Sequence, residues 1–162
     1  MIIHYMQDRD RALPLSPIPR KNWEIDAYPV NEIAEYVQDV SQGDIDVLVE
    51  EYYNKYDMIL DGRDPEEFKE HVAVQAGIEI GFERFLEEKK YQAIVTHFGD
   101  LGSLKQLPGL AIQRLMEKGY GFGGEGDWKT AAMGIEAVYI DGDTTIRNLQ
   151  NELRWNSMYF SK

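Results

Sequence analysis

The residues best suited to chemistry gather in one glycine-rich segment, GYGFGGEG, from Gly119 to Gly126. Glu125 stands in it between Gly124 and Gly126. Glycine opens backbone conformations closed to other residues and lets a ligand approach closely. A carboxylate held there could bind a hard cation or act as an acid or base. A solvated loop glutamate, or one resting on a helix dipole, fits the bare pattern too and is the commoner use. Gly119, Gly121 and Gly124 also satisfy G-x-G-x-x-G, with Asp141 downstream. A dinucleotide site needs a strand directly before those glycines, whereas Leu110–Lys118 is patterned as a helix, which argues against that reading.

The three histidines are His4, His71 and His97. None forms an i, i+4 pair with another, so no helical metal clamp is visible. His97 ends a predicted strand, where α/β folds place their sites, although a structural histidine is the more frequent finding. Phe122 and Trp128 flank Glu125 and would suit a sugar-facing wall, with core packing the alternative. The absence of cysteine removes disulfides, thiolate zinc sites and thiol catalysis.

Those side chains need elements to position them. Asp64-Pro65-Glu66-Glu67 is an N-terminal helix signal, and Phe68, Val72, Gln75, Ile78, Glu79, Phe82 and Leu86 recur at helical spacing, predicting a helix over 65–89. Tyr91–Phe98 reads as a buried strand. A helix over 109–118 precedes the glycine loop, and 127–133 predicts a short helix after it. Upstream, a short strand at 22–27 leads into a helix opened by Pro29, and Asp44 is placed to cap another. A strand at 136–140 and a helix at 144–159 close the sequence. Arg11–Arg20 holds three prolines in ten residues and cannot be helical, so 1–23 reads as an irregular Pro-rich arm. The alternation of helix and strand predicts an α/β fold, a small mainly parallel sheet flanked by helices.

At 162 residues the chain has the size of one domain. Its net charge is −12, and residues 24–70 alone hold 15 acidic and three basic residues. Such a surface repels phosphate backbones and disfavours nucleic acid. No apolar run long enough to span a bilayer occurs, and the first residues lack a secretory pattern, so the expectation is no membrane association and a cytoplasmic address.

Residues 96–133, THFGDLGSLKQLPGLAIQRLMEKGYGFGGEGDWKTAAM, closely resemble the L-arabinose isomerase family. DAYPVNEIAEYV and EFKEHVAVQAGIEIGFERFLEE resemble the same family's central domain, and GIEAVYIDGDTTIRNLQNELRWNSMYF its extreme C-terminus. The resemblance implies an isomerase-like central α/β domain over 24–133, as in L-arabinose and fucose isomerases. It further implies a C-terminal strand and helix, 134–162, packed onto that domain. Family members are much longer; an N-terminal domain and most of a C-terminal domain have no counterpart here, so a truncated protein is expected. The family reaction is metal-dependent aldose–ketose isomerisation of L-arabinose to L-ribulose, usually with Mn²⁺. The ligands are two glutamates and two histidines, and the glutamates are the proposed acid/base pair. By resemblance, Glu125 is the first metal-binding and catalytic glutamate, and Phe98 lines the substrate pocket. The other three ligands belong to the block missing after Met133. The chain alone is therefore expected to be inactive, with a homo-oligomer implied as its assembly. The alternative is a non-catalytic oligomerisation or assembly module derived from the central domain.

Overall fold

The computed structural model describes residues 25–97, 99, 101–127, 129–132 and 134, and the backbone of Ile2–His4. The elements are β1 (Ile2–His4), β2 (Ala27–Pro29), α1 (Val30–Gln38), α2 (Gln42–Lys55), α3 (Pro65–Lys89), β3 (Ala93–Thr96), α4 (Gly109–Glu117) and β4 (Gly121–Gly124). They form a helix-flanked sheet of order β2-β1-β3-β4, and the α/β class expected from the sequence holds. The β3–β4 pair is parallel. β1 runs antiparallel to both β2 and β3, so the sheet is mixed.

α3 organises the packing. Asp64 Oδ1 accepts from the backbone N–H of Glu66 and of Glu67 at 3.0 Å, with Pro65 in the first turn. At the other end Lys90 turns left-handed at φ 62°, Tyr91 N donates to Leu86 O at 2.7 Å, and Lys90 N donates to Glu87 O at 3.1 Å. That is a Schellman ending, and it delivers the chain directly into β3. Ile33 of α1, Ile78, Phe82, Phe85 and Leu86 of α3, and Ile112 and Leu115 of α4 close over Ile94 as one apolar cluster. Ala93 and Val95 pack instead with Ala131. β3 is therefore covered on both faces, which explains why it reads as a continuous apolar run.

Four local expectations are corrected. The segment read as a glycine loop contains a strand, β4, because pairing with β3 satisfies its backbone whatever its low intrinsic strand preference. The upstream strand, expected over 22–27, is Ala27–Pro29 among the described residues; Ile25 and Asp26 are not in it, and 22–24 lie outside those residues. Ser41, not Asp44, caps α2: its side chain accepts from Asp44 N at 3.2 Å. Within the stretch read as an irregular arm, Ile2–His4 forms a strand between β2 and β3. The rest of that arm, the strand predicted at 136–140 and the helix at 144–159 lie outside the described residues. Among the described residues no helix is long and apolar enough to cross a membrane.

Candidate functional site

The register of the parallel pair sets Val95 opposite Gly123 and Thr96 opposite Gly124. Both strands end there, so His97 and Glu125 are the next residues at the C-terminal edge of the pair. Ligand sites of open α/β sheets lie at this edge. Glu125 is exposed.

Its setting is a tight turn. Asp127 N donates to Gly124 O at 3.0 Å, and the two central residues both have positive φ, 55° at Glu125 and 85° at Gly126. Positive φ at both central positions marks a type I′ turn, a geometry dominated by Gly, Asn and Asp. Glutamate in the left-handed region costs about 1–2 kcal/mol. The turn folds back so closely that a Cβ on Gly123 would lie 2.0 Å from the Asp127 carbonyl oxygen. Asp127 then starts the helical residues that follow: its Oδ1 accepts from Thr130 N at 3.1 Å. Strand, turn and cap thus fix the backbone around a carboxylate that no described group bonds.

The other residues singled out in the sequence are distributed differently. Phe98 and Trp128 lie outside the described residues. Phe122 is 8% exposed and belongs to the core around Ile94 and Leu115, so it forms no sugar-facing wall. His71 sits on the outside of α3, where its Nδ1 lies 3.2 Å from Gln106 Nε2. Strand β1 carries His4 opposite Val95. Among the described residues no three His, Asp or Glu side chains gather as a metal-binding group. One carboxylate fits one position in the shell of a hard divalent cation, and does not by itself make a complete site.

A second polar cluster escaped the sequence reading. Glu79 of α3 is fully buried, at 0% exposure, and Arg114 of α4 is 5% exposed. Tyr52 of α2 donates to Glu79 Oε2 at 2.5 Å, Arg114 Nε donates to the same oxygen at 2.9 Å, and Lys118 Nζ lies 2.9 Å from Oε1. Arg114 also donates to Glu51 at 2.5 Å. Burial pushes the Tyr52 phenol upward, and the Glu79 charge adds to the effect. For Arg114, burial acts to lower the pKa, but the Tyr56 bond and the charge of Glu79 outweigh it, so the net shift is upward. Glu79 stood in the sequence as one more position of the α3 periodicity. A charged residue at core spacing, with Arg114 at core spacing on α4, was the available signal. An open cleft of about 600 Å³ is lined by Tyr36, Asp39, Arg84, Glu87 and Glu88, none of them from β3 or β4.

Fold and site together define an α/β domain that presents an exposed glutamate at the C-terminal edge of a parallel strand pair. The L-arabinose isomerase central domain matches residues 19–141. The chain is 44% identical over 124 residues to an L-arabinose isomerase of Geobacillus kaustophilus (strain HTA426), covering 76% of this chain and 25% of that protein. It is 47% identical over 121 residues to an L-arabinose isomerase of Serratia proteamaculans (strain 568), covering 74% and 24%. The L-arabinose isomerase of Yersinia pseudotuberculosis serotype O:1b (strain IP 31758) is 49% identical over 111 residues, covering 68% and 22%. The chain belongs to the L-arabinose isomerase family through its central domain. It spans about a quarter of the length of these curated relatives.

Proposed function

We propose that this domain contributes Glu125 to a metal-assisted L-arabinose-to-L-ribulose site and does not complete that site by itself. The observation that carries the reading is the strained, exposed Glu125 turn at the C-terminal edge of β3 and β4. Backbone strain of this kind persists where surrounding structure over-determines it, and it clusters at ligand sites. Relatives named L-arabinose isomerase supply the sugar and the reaction. Glu125 would serve as one oxygen ligand to Mn²⁺ and as one of two proton-handling groups, with Phe98 against the sugar. Moving a hydrogen between adjacent sugar carbons needs acid–base groups at both ends of the shift. Glu125 would be one such group, and with the resemblance giving its partner ligands no counterpart in this chain, the isolated chain is expected to be inactive. A homo-oligomer acting in the cytoplasm is the setting we assign to it, with the remaining ligands coming from outside the described residues.

Purified chain incubated with L-arabinose and Mn²⁺ should form no L-ribulose. Turnover that vanishes in Glu125→Gln would overturn the inactivity and show that residues outside the described ones complete a site around Glu125. Turnover that survives Glu125→Gln would overturn the role of Glu125. A second reading, a non-catalytic assembly module, is favoured by the lack of any gathered metal-binding group among the described residues. Mn²⁺ binding that is lost in Glu125→Gln would exclude it.

A further inference from the structure

His97 follows Thr96, and Glu125 follows Gly124, so the two residues leave neighbouring ends of the β3–β4 pair. Its side chain is not loose: Gly99 N donates to His97 Nδ1 at 3.0 Å. A backbone N–H can only donate, so Nδ1 is the bare nitrogen and the ring proton resides on Nε2. The fit depends on glycine, because a Cβ on residue 99 would lie 2.9 Å from His97 Cε1 and 3.0 Å from Nδ1. Among the described residues nothing bonds Nε2, and His97 is exposed.

This arrangement separates two roles. A histidine that binds a metal offers a bare nitrogen and donates through the other. Here the bare nitrogen is already taken by Gly99, and the outward nitrogen carries the proton. His97 is therefore poorly suited to ligate a cation beside Glu125 and well suited to donate a hydrogen bond. We infer that His97 is a ligand-binding residue whose Nε2–H donates to a hydroxyl or carbonyl oxygen of a polyhydroxy ligand held against Glu125. The inference rests on Glu125 facing the sugar, as proposed above. Carboxylate acceptor and imidazole donor then sit on neighbouring strand ends, matched to the alternating donors and acceptors of a sugar.

With only three histidines in the chain, imidazole ¹H–¹⁵N correlation spectra can be assigned by comparison with His97→Gln. They should show His97 as the Nε2–H tautomer, and Gly99→Ala should abolish that fixed state. L-Arabinose titrated into the metal-free chain should shift the His97 ring signals. Loss of one neutral hydrogen bond predicts about tenfold weaker binding in His97→Ala, and His97→Gln, which keeps a donor, should recover most of it. An Nδ1–H tautomer overturns the inference. So does unchanged affinity in His97→Ala when Glu125→Gln weakens binding, an outcome that leaves the Glu125 reading standing. No sugar binding by the parent chain would overturn the inference about His97, while the Mn²⁺ comparison of parent and Glu125→Gln still decides the Glu125 reading.

Discussion

Glu79 lies wholly buried between α2, α3 and α4, bonded by Tyr52, Arg114 and Lys118, whereas Glu125 stands exposed on a left-handed turn with no bond from any described residue. Both are glutamates on the same small domain. The first is held by three partners, and a buried polar group without partners would be strongly unfavourable there. The second bears backbone strain and receives nothing in return from the fold. Burial and partners mark a carboxylate that builds the domain, while exposure with strain is what our proposal takes as the mark of one retained for a ligand. His97 belongs with the second group: its ring is positioned by Gly99 but its proton points at no described partner.

The contrast is broken most forcefully at the buried end. Glu79→Ala removes the buried carboxylate from Arg114, leaving it only the half-exposed Glu51, and should destabilise the domain by about 3–5 kcal/mol in urea unfolding. Replacing both, Glu79→Leu with Arg114→Met, should restore much of the loss, since an apolar substitute of similar size removes the stranded charge. A loss under about 1 kcal/mol for Glu79→Ala would mean that the cluster contributes little to stability.

Alkaline pH probes the same cluster without mutation. The Tyr52 phenol is raised above its ordinary 10.0 by burial and by Glu79, and Tyr91 is raised by burial and by its bond to Tyr28. Lys118 is raised above 10.5: burial opposes this, and its bonds to Glu83 and Glu79 prevail. Above pH 10 the unfolded chain releases protons that the folded chain keeps, so stability must fall as pH rises. Each buried phenol that retains its proton contributes a slope of about 1.4 kcal/mol per pH unit. Urea midpoints measured from pH 8 to 11 should be flat at first and then drop. A flat profile throughout would deny the buried, protonated state of these phenols.

A smaller effect is expected at the site's support. In Gly123→Ala the new methyl meets the Asp127 carbonyl, and displacing the turn should cost about 1–3 kcal/mol. The same variant should weaken sugar binding, because Glu125 moves with the turn. Wild-type affinity in a destabilised Gly123→Ala would detach the turn from the ligand.

Much of the scaffold was readable in the sequence for local reasons. Asp64-Pro65-Glu66-Glu67 announces α3, whose observed limits Pro65–Lys89 coincide with the expected helix. The apolar run around Ile94 announces β3. β4 was not readable, because Gly121-Phe-Gly-Gly124 carries little strand preference and is made a strand by a partner far away in the chain. β1 was hidden for the same reason: three residues gain their structure from β2 and β3. Glu79 looked like part of a helical stripe because Arg114, its partner, lies 35 residues away. At the site, glycine neighbours pointed to Glu125 and a strand end to His97. Neither the positive φ of Glu125 nor the bond from Gly99 to His97 can be deduced from residue types, since both follow from how the strand ends fold back.

The central distinction can be tested directly on Glu125 by comparing urea-unfolding midpoints of the parent chain and Glu125→Gly. Glycine relieves about 1–2 kcal/mol of left-handed strain. It returns about 0.4–1 kcal/mol through the greater entropy of the unfolded chain. A carboxylate kept for a ligand therefore predicts a variant more stable by about 0.5–1 kcal/mol. A less stable variant would contradict the account and place Glu125 with Glu79 among the residues that hold the fold together.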